Sequence, residues 1–455
     1  MPCDAVSLHA ELEKIVGAGH VGSDSGATAA FAVDGVTPLL TVRPGTQDEV
    51  AAVVAACASA RAAMVPWGGG TAMGMGNVPK RAEVVIRLDR LDRVVEFDAE
   101  NLCVTVEAGM PLSRLQELVA NKQELLPLDP PGAGRVTLGG LVAANQSGPS
   151  RLQHGTARDW VLGLRVVLPN GERIRCGGRV IKNVSGYDMN KLFIRSFGTL
   201  GIITEVTVKL LPMPVARASV LGVFTELAQA AAVVKKVLGS FLLPDALDLL
   251  DPAAQQRLAP ELGLGKPGGF LLVVGLAGSQ ATVDRQVQEL EAMVASHGGL
   301  ASSLRGTEAK RAWVAVTDVL DRSADEPRRI VCRFAVPIGR SVGMMGAIHA
   351  RVAEHGLATT VTAHAGSGIL QAVIEAPTGF PGERTLAETV AVVQALRAEA
   401  AAMGGSLVLQ EAPRLFKQQV DAWGEPGSSL GTMQRIKNEF DPQGLFSPGR
   451  FVGGI

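Results

Sequence analysis

The sequence predicts an α+β protein built from two domains, on three observations. Residues 37–71 read as strand, helix, strand and glycine loop, a β–α–β unit ending on Pro66-Trp67-Gly68-Gly69-Gly70-Thr71. Residues 221–409 repeat strand–helix–strand groups, the rhythm of an antiparallel sheet with helices on one face. Between them, Pro212 and Pro214 stop a well-alternating strand and mark a boundary.

The elements follow in order. Thr37 to Pro44 is a strand closed by proline. Thr46 then opens a helix as N-cap, with Glu49 three residues on completing a capping box, and Val50, Val53, Val54 and Cys57 form its apolar face. Ala63-Met64-Val65 is the strand that leads into the glycine loop. Val84 to Leu88 and Leu102 to Val106 read as strands. Pro111 sits at the N1 position of a short helix marked by Leu112, Leu115 and Leu118. A proline-rich passage, Leu125 to Pro131, leads to a second glycine region, Thr137 to Gly148. Val161 to Leu168 and Glu172 to Cys176 form a hairpin about Asn170-Gly171, which supplies the positive-φ turn. A short helix around Met189 to Ile194 precedes the strand that runs to Leu211.

In the second part, strands are expected at Leu221–Phe224, Ala246–Leu250, Phe270–Gly275, Ile330–Pro337, Ala358–Thr362, Ile369–Glu375 and Ser406–Leu409. Helices are expected at Leu227–Leu238, Ala281–Ser296, Val342–Glu354 and Arg384–Met403. A further helix starts at Met433 and ends before Asp441-Pro442.

Composition narrows the function. The 455 residues are 47% hydrophobic and 19% charged, which suits a globular chain with large cores. Net charge is −1 and no basic run exceeds a pair, so nucleic acid is not an expected partner. No apolar run is long enough to span a bilayer and no signal peptide is evident, so any membrane association is expected to be peripheral, through partners. The five cysteines are isolated, without a CxxC pair. This excludes the usual iron–sulfur and zinc spacings and makes the cytoplasm the expected compartment.

Three successive glycines at 68–70 let the backbone approach another group closely, and their N–H groups can form a nest for an anion such as phosphate. A flexible surface turn is the alternative. No glycine precedes Lys-Ser or Lys-Thr, which excludes a Walker loop. The GxGxxG pattern fails at Met73 and at Pro79, which argues against a Rossmann nucleotide site. What survives is a pyrophosphate held by two separate glycine loops.

Five ordered motifs carry a family resemblance. They are Pro66 to Gly76; Thr137-Leu138-Gly139-Gly140 with Asn145, Gly148 and Gly155-Thr156; Gly186-Tyr187-Asp188; Gly198 to Ile202; and the tail Phe440-Asp441-Pro442 to Pro448-Gly449-Arg450. Together they resemble the FAD domain of the vanillyl-alcohol-oxidase type, also called the PCMH type. Within that family the chain is most similar to E-type FAD-binding subunits of bacterial glycolate oxidases, with D-lactate and D-2-hydroxyglutarate dehydrogenases as further relatives.

The resemblance implies a two-subdomain FAD-binding domain over residues 1–214 and a ferredoxin-like α+β cap over 215–428. A C-terminal segment, 429–455, is expected to return to the FAD domain. By the same match, Gly68, Gly69, Gly70 and Thr71 cradle the FAD pyrophosphate, flanked by Pro66, Trp67, Ala72 and Met73. Thr137, Gly139, Gly140 and the run Ala143 to Gly148, including Asn145, line the ribityl and flavin path. Gly201, Ile202 and Ile203 present main-chain groups to the flavin, and Pro130, Gly155 and Ser447 complete the set. With no His or Cys in the first loop, the flavin is expected to be noncovalent.

Oxidising a 2-hydroxy acid needs a cation for the carboxylate, a base for the hydroxyl proton and a hydride acceptor. Catalytic relatives are expected to carry H-x-G-D-G-N-x-H in the cap and a later G-E-H-G. Here the first stretch is His364-Ala365-Gly366-Ser367-Gly368-Ile369-Leu370-Gln371 and the second is Gln410-Glu411-Ala412-Pro413. One imidazole remains, so no metal is expected. His364 is the candidate base, with an inert structural role as the alternative. Arg333 is the candidate carboxylate clamp, with an ordinary strand-face arginine as the alternative. Tyr187, the only tyrosine, either contacts flavin beside Lys182 or packs in the core. His154 either reaches the flavin edge or caps a turn.

The resemblance also implies an iron–sulfur partner and a paralogous flavin subunit, because this chain has no cluster motif to receive electrons. Three functions stay open: a glycolate-type 2-hydroxy-acid dehydrogenase subunit, an FAD-carrying electron-transfer subunit with a decayed substrate site, and an oxygen-using oxidase.

Overall fold

The computed structural model describes residues 4–179, 186–264, 268–321, 329–376, 380 and 382–455. Lys182, named above, lies outside them. The chain divides into two compact units: residues 1–146, 156–213 and 425–455 in the first, and 147–155 with 214–424 in the second. Residues 147–155, expected with the cofactor domain, belong to the second unit. The returning segment begins at 425.

The first unit holds two sheets that matter for the site. One contains β1 (Val21–Gly22), β2 (Leu40–Val42), β3 (Met64–Trp67) and β4 (Val84–Arg87) in the order β1-β2-β4-β3. β2 and β3 both run parallel to β4, with the helix Gln47–Ser59 as crossover. Thr46 accepts the Glu49 N–H as its cap (3.1 Å). The Glu49 carboxylate reaches back to the N–H of Gly45 (2.7 Å), one residue short of a full capping box. Val50, Val53, Val54 and Cys57 are fully buried. The glycine loop therefore leaves a rigid parallel strand.

The other sheet orders β5 (Val94–Asp98), β6 (Cys103–Glu107), β8 (Val161–Val167), β9 (Arg173–Gly177) and β10 (Ile202–Lys209) as β5-β6-β10-β8-β9. A two-stranded piece pairs β7 (Glu124–Leu125) with β11 (Leu211–Pro212). The β8–β9 hairpin turns at Asn170-Gly171 as expected, with Gly171 at φ +83°. Pro111 stands one place earlier than expected, as N-cap of the helix Leu112–Ala120.

The tail is fastened to this unit by a buried lysine. Lys437, on the helix Leu430–Phe440, donates to the carbonyls of Thr199 (2.7 Å) and Phe446 (2.9 Å) and to Asp441 (2.7 Å). Asp441 in turn accepts the N–H groups of Leu445 and Phe446. Phe446 then forms a parallel bridge with Met64 of β3. Removing the cation leaves a buried carboxylate without its counter-charge, which typically costs about 3–5 kcal/mol. Lys437→Met is therefore expected to lower the urea-unfolding free energy of the first unit by about that amount, read as a shift in midpoint at constant slope.

The second unit is one antiparallel eight-stranded sheet. Its strands are β12 (Ala216–Phe224), β13 (Ala246–Leu250), β14 (Phe270–Gly278), β15 (Leu300–Arg305), β16 (Arg329–Ala335), β17 (Ala358–His364), β18 (Ile369–Glu375) and β19 (Ser406–Glu411). The order is β15-β12-β14-β13-β17-β18-β16-β19. Period-two alternation sorts the side chains onto two faces. Leu247, Leu249, Leu272, Val274, Ile330, Cys332, Phe334, Val361, Ala363, Leu370 and Ala372 join one large core with four helices: Leu227–Leu238, Gln280–Ser296, Ser341–Glu354 and Glu383–Ala402.

The expectation of helices on one face alone is overturned. Leu221, Leu250, Leu271, Val273, Val331 and Val373 point the other way and pack with the helices Pro252–Leu262 and Gly306–Asp318. Those two helices and β15 escaped the sequence reading. Pro260 interrupts the first helix, Arg305 gives the second no side-chain cap, and β15 is largely exposed. Among the described residues, no helix is long and apolar enough to cross a membrane.

Candidate functional site

Two places gather the chemistry, one in each unit. In the first unit the two glycine regions meet. A Cβ on Gly69 would lie 1.7 Å from the carbonyl oxygen of Arg135, and one on Gly68 would lie 2.3 Å from Thr137 Oγ1. Neither position has room for any side chain. Gly70 takes φ +76° and packs against the Trp67 ring, which stands edge-on to Phe31 at 5.2 Å. Gly139 backs onto Ala108, where a Cβ would meet Ala108 Cβ at 2.6 Å. Thr137 Oγ1 accepts from Gly140 N (3.3 Å) and caps the short helix Leu138–Ala144.

That helix ends on Asn145 in the left-handed region, and Asn145 Oδ1 accepts the N–H of Arg158 (3.3 Å). Ala143 offers its carbonyl to Phe197 N (3.0 Å), and Pro130 is buried ahead of the turn at Gly132. Gly201 stands just before β10, which opens with Ile202 and Ile203 registered against Val167 and Val166 of β8. A Cβ on Gly201 would approach Val167 O to 2.8 Å.

The far half of the first loop, Thr71 to Gly76, is organised by a residue to which the sequence reading gave no role. Arg450, almost wholly buried, donates to the carbonyls of Met73 and Met75 (both 2.9 Å) and Ala72 (3.4 Å). Its own carbonyl accepts Asn77 N (3.0 Å). Loop and tail are thus one structure, and only the tail motif Pro448-Gly449-Arg450 hinted at it. Beside Arg450, Ser447 adopts φ +45° with a buried Oγ that has no hydrogen-bond partner among the described residues. Side-chain-free backbone at 68–70 and 139–140, together with that orphan hydroxyl, fits a bound dinucleotide.

Gly148, His154 and Gly155, assigned to the same cofactor by sequence, lie in the second unit. There Leu152, on the short helix Arg151–His154, packs where a Cβ of Gly366 would stand. Burial, reinforced by Arg217, pushes His154 below its ordinary value. Tyr187 is 95% exposed, which overturns the core-aromatic alternative for it.

In the second unit, strand alternation brings the two catalytic candidates onto one face of one sheet. Arg333 of β16 registers against Gln371 of β18, and Gln371 registers against Thr362 of β17. His364 stands two residues beyond Thr362, on the same face. With strands about 4.8 Å apart and a rise of about 3.3 Å per residue, the Cα atoms of Arg333 and His364 are about 12 Å apart. Their long side chains can bracket a molecule of a few carbons.

His364 is not isolated. Its Nδ1 lies 2.9 and 3.0 Å from the two carboxylate oxygens of Asp248, its register partner on β13. The pair is 14% and 3% exposed. Asp248 was missed by the sequence reading, although an acid inside the apolar strand Ala-Leu-Asp-Leu-Leu is a signal of this kind. Ser367, Ile369 and Gln371 occupy the remaining positions of the expected motif. Among the described residues, no three His, Cys, Asp or Glu side chains gather to hold a metal ion.

Comparison with known proteins agrees on the cofactor. Residues 38–177 match the family described as FAD binding domain, and residues 213–451 match that of FAD linked oxidases, C-terminal domain. A glycolate oxidase subunit, GlcD, of Bacillus subtilis is 29% identical, over 91% of this chain and 88% of its own length. A D-lactate dehydrogenase of Anaerostipes hadrus is 29% identical, over 91% and 89%. Among solved structures, p-cresol methylhydroxylase with substrate bound superposes with a TM-score of 0.77 at 16% identity. That match covers 98% of this chain and 96% of the other, and it establishes the shared fold.

Proposed function

The chain belongs to the FAD-linked oxidases, and from that premise we propose that it is the FAD-binding subunit of a glycolate-oxidase-like 2-hydroxy-acid dehydrogenase. FAD is its cofactor. The observation that carries the reading is the one face of the antiparallel sheet shared by Arg333 and an oriented His364, whose Cα atoms stand about 12 Å apart. The relatives named for glycolate and D-lactate supply the substrate class.

In this reading Gly68 to Thr71 and Thr137 to Gly140 hold the pyrophosphate, without a covalent tether. Arg333 clamps the substrate carboxylate through its bidentate fork. His364 accepts the hydroxyl proton at Nε2 as the C2–O bond becomes a carbonyl. The bound flavin supplies the acceptor for the hydride leaving C2. Electrons pass onward to a partner, an iron–sulfur subunit beside a paralogous flavin subunit, a reading supported by the relative named as a subunit of glycolate oxidase.

The loss of the second imidazole at Gln371 favours a second reading, an FAD-carrying electron-transfer subunit without its own substrate. Anaerobic titration of the purified, FAD-loaded chain with glycolate and D-lactate separates the two. Bleaching of the flavin band by either acid supports the dehydrogenase. An unchanged spectrum with both leaves the carrier.

A further inference from the structure

We propose that Asp248 is the positioning residue of His364, holding its Nδ1 as the N–H so that Nε2 carries the lone pair. This rests on the reading of His364 as the base. A carboxylate only accepts hydrogen bonds, so an imidazole nitrogen 2.9–3.0 Å from both Asp248 oxygens is the one that bears the proton. The choice of tautomer follows from that contact alone.

The strand under the ring is tied to the 247–251 segment on either side of His364 along the chain. Ala365 N donates to Leu247 O (2.8 Å), and Asp251 N donates to Val361 O (3.0 Å). The fully buried Asp251 accepts Val361 N at 2.7 Å while also capping the helix Pro252–Leu262 through Ala254 N (2.8 Å). β17 therefore cannot rotate His364 away from Asp248 without breaking buried hydrogen bonds. At the neighbouring positions on the same face stand Thr362, Ile369 and Gln371, so no carboxylate or second imidazole of β17 or β18 competes for Nε2. The geometry is that of an oriented base, with the orienting acid behind the ring and the free nitrogen left for a hydroxyl proton.

Replacing Asp248 with asparagine keeps the shape but puts an amide N–H against Nδ1, which stabilises the opposite tautomer. In the FAD-loaded chain, Asp248→Asn is expected to slow substrate-driven flavin reduction by about 10²–10⁴-fold, with KM within about threefold and FAD content unchanged. Nitrogen-15 NMR of histidine-labelled protein, assigned with His364→Ala, reads the same point without turnover. The neutral ring is expected as Nδ1–H in the wild type and as Nε2–H in Asp248→Asn.

A wild-type ring found as Nε2–H overturns the proposal, and this holds even if the variant folds poorly. So does wild-type reduction by Asp248→Asn. If His364→Ala abolishes reduction and Asp248→Asn leaves it intact, only the positioning role fails. If His364→Ala also reduces flavin normally, the base assignment itself falls.

Discussion

His364→Ala is expected to leave the protein folded and FAD-loaded while slowing flavin reduction by a 2-hydroxy acid about 10³-fold, within the range a general base contributes. The size of the effect follows from the absence of a substitute. On the face that carries His364, Thr362, Gln371 and Arg333 accept no proton near neutral pH, and the carboxylate of Asp248 is engaged at Nδ1 rather than on the Nε2 side. The second histidine–carboxylate approach in the unit, His349 Nε2 to Asp251 at 3.4 Å, involves a helix packed on the opposite face. It cannot deputise. Stopped-flow reduction at saturating substrate checks this, and a fall of less than about tenfold would remove His364 from the chemistry.

Gly69→Ala is the second large effect, and it concerns binding. The new Cβ would stand 1.7 Å from Arg135 O, a backbone atom that cannot swing aside like a side-chain tip. Opening the two loops enough to admit it resembles core overpacking, about 1–3 kcal/mol, and the loops are also the proposed pyrophosphate cradle. FAD affinity is expected to fall by up to about 100-fold, so that the variant purifies largely as apoprotein with an unchanged far-UV spectrum. Gly134→Ala, in the turn that carries Arg135, is the matched control. Nothing lies within 4 Å of its Cβ, and its FAD content is expected to stay at the wild-type level. Equal FAD loading of the two variants would refute the two-loop cradle.

That contrast shows where sequence reading reaches and where it stops. The glycine loop, its β–α–β setting and the Asn170-Gly171 hairpin follow from local rules about φ, caps and periodicity, and all three stand in the structure. Gly69 and Gly134 look alike in one dimension, because what distinguishes them is a carbonyl from a different loop. The same holds for His364. Its partner Asp248 lies 116 residues away, and only the β13–β17 register turns an isolated imidazole into an oriented one. Arg450 grips carbonyls 375 to 378 residues earlier, a relation no local pattern encodes.

The covering of the sheet's second face was illegible for another reason. Its strands bury apolar residues on both sides, so their pattern approaches a continuous apolar run and no longer marks a solvent face. The sequence groups Gly148, His154 and Gly155 with the Thr137–Asn145 motif that they follow directly, and gives no sign that they fold with the second unit. The chain leaves the first unit at residue 146 and re-enters it at 156.

The central claim is that this chain itself takes hydride from a 2-hydroxy acid. Its most direct test is anaerobic single-turnover reduction of the FAD-loaded chain, without any partner, by D-lactate or glycolate carrying hydrogen or deuterium at C2. The account predicts bleaching of the flavin by at least one of the two acids, slowed severalfold by deuterium. A flavin that stays oxidised with both acids, yet is reduced once a partner subunit is added, would contradict it.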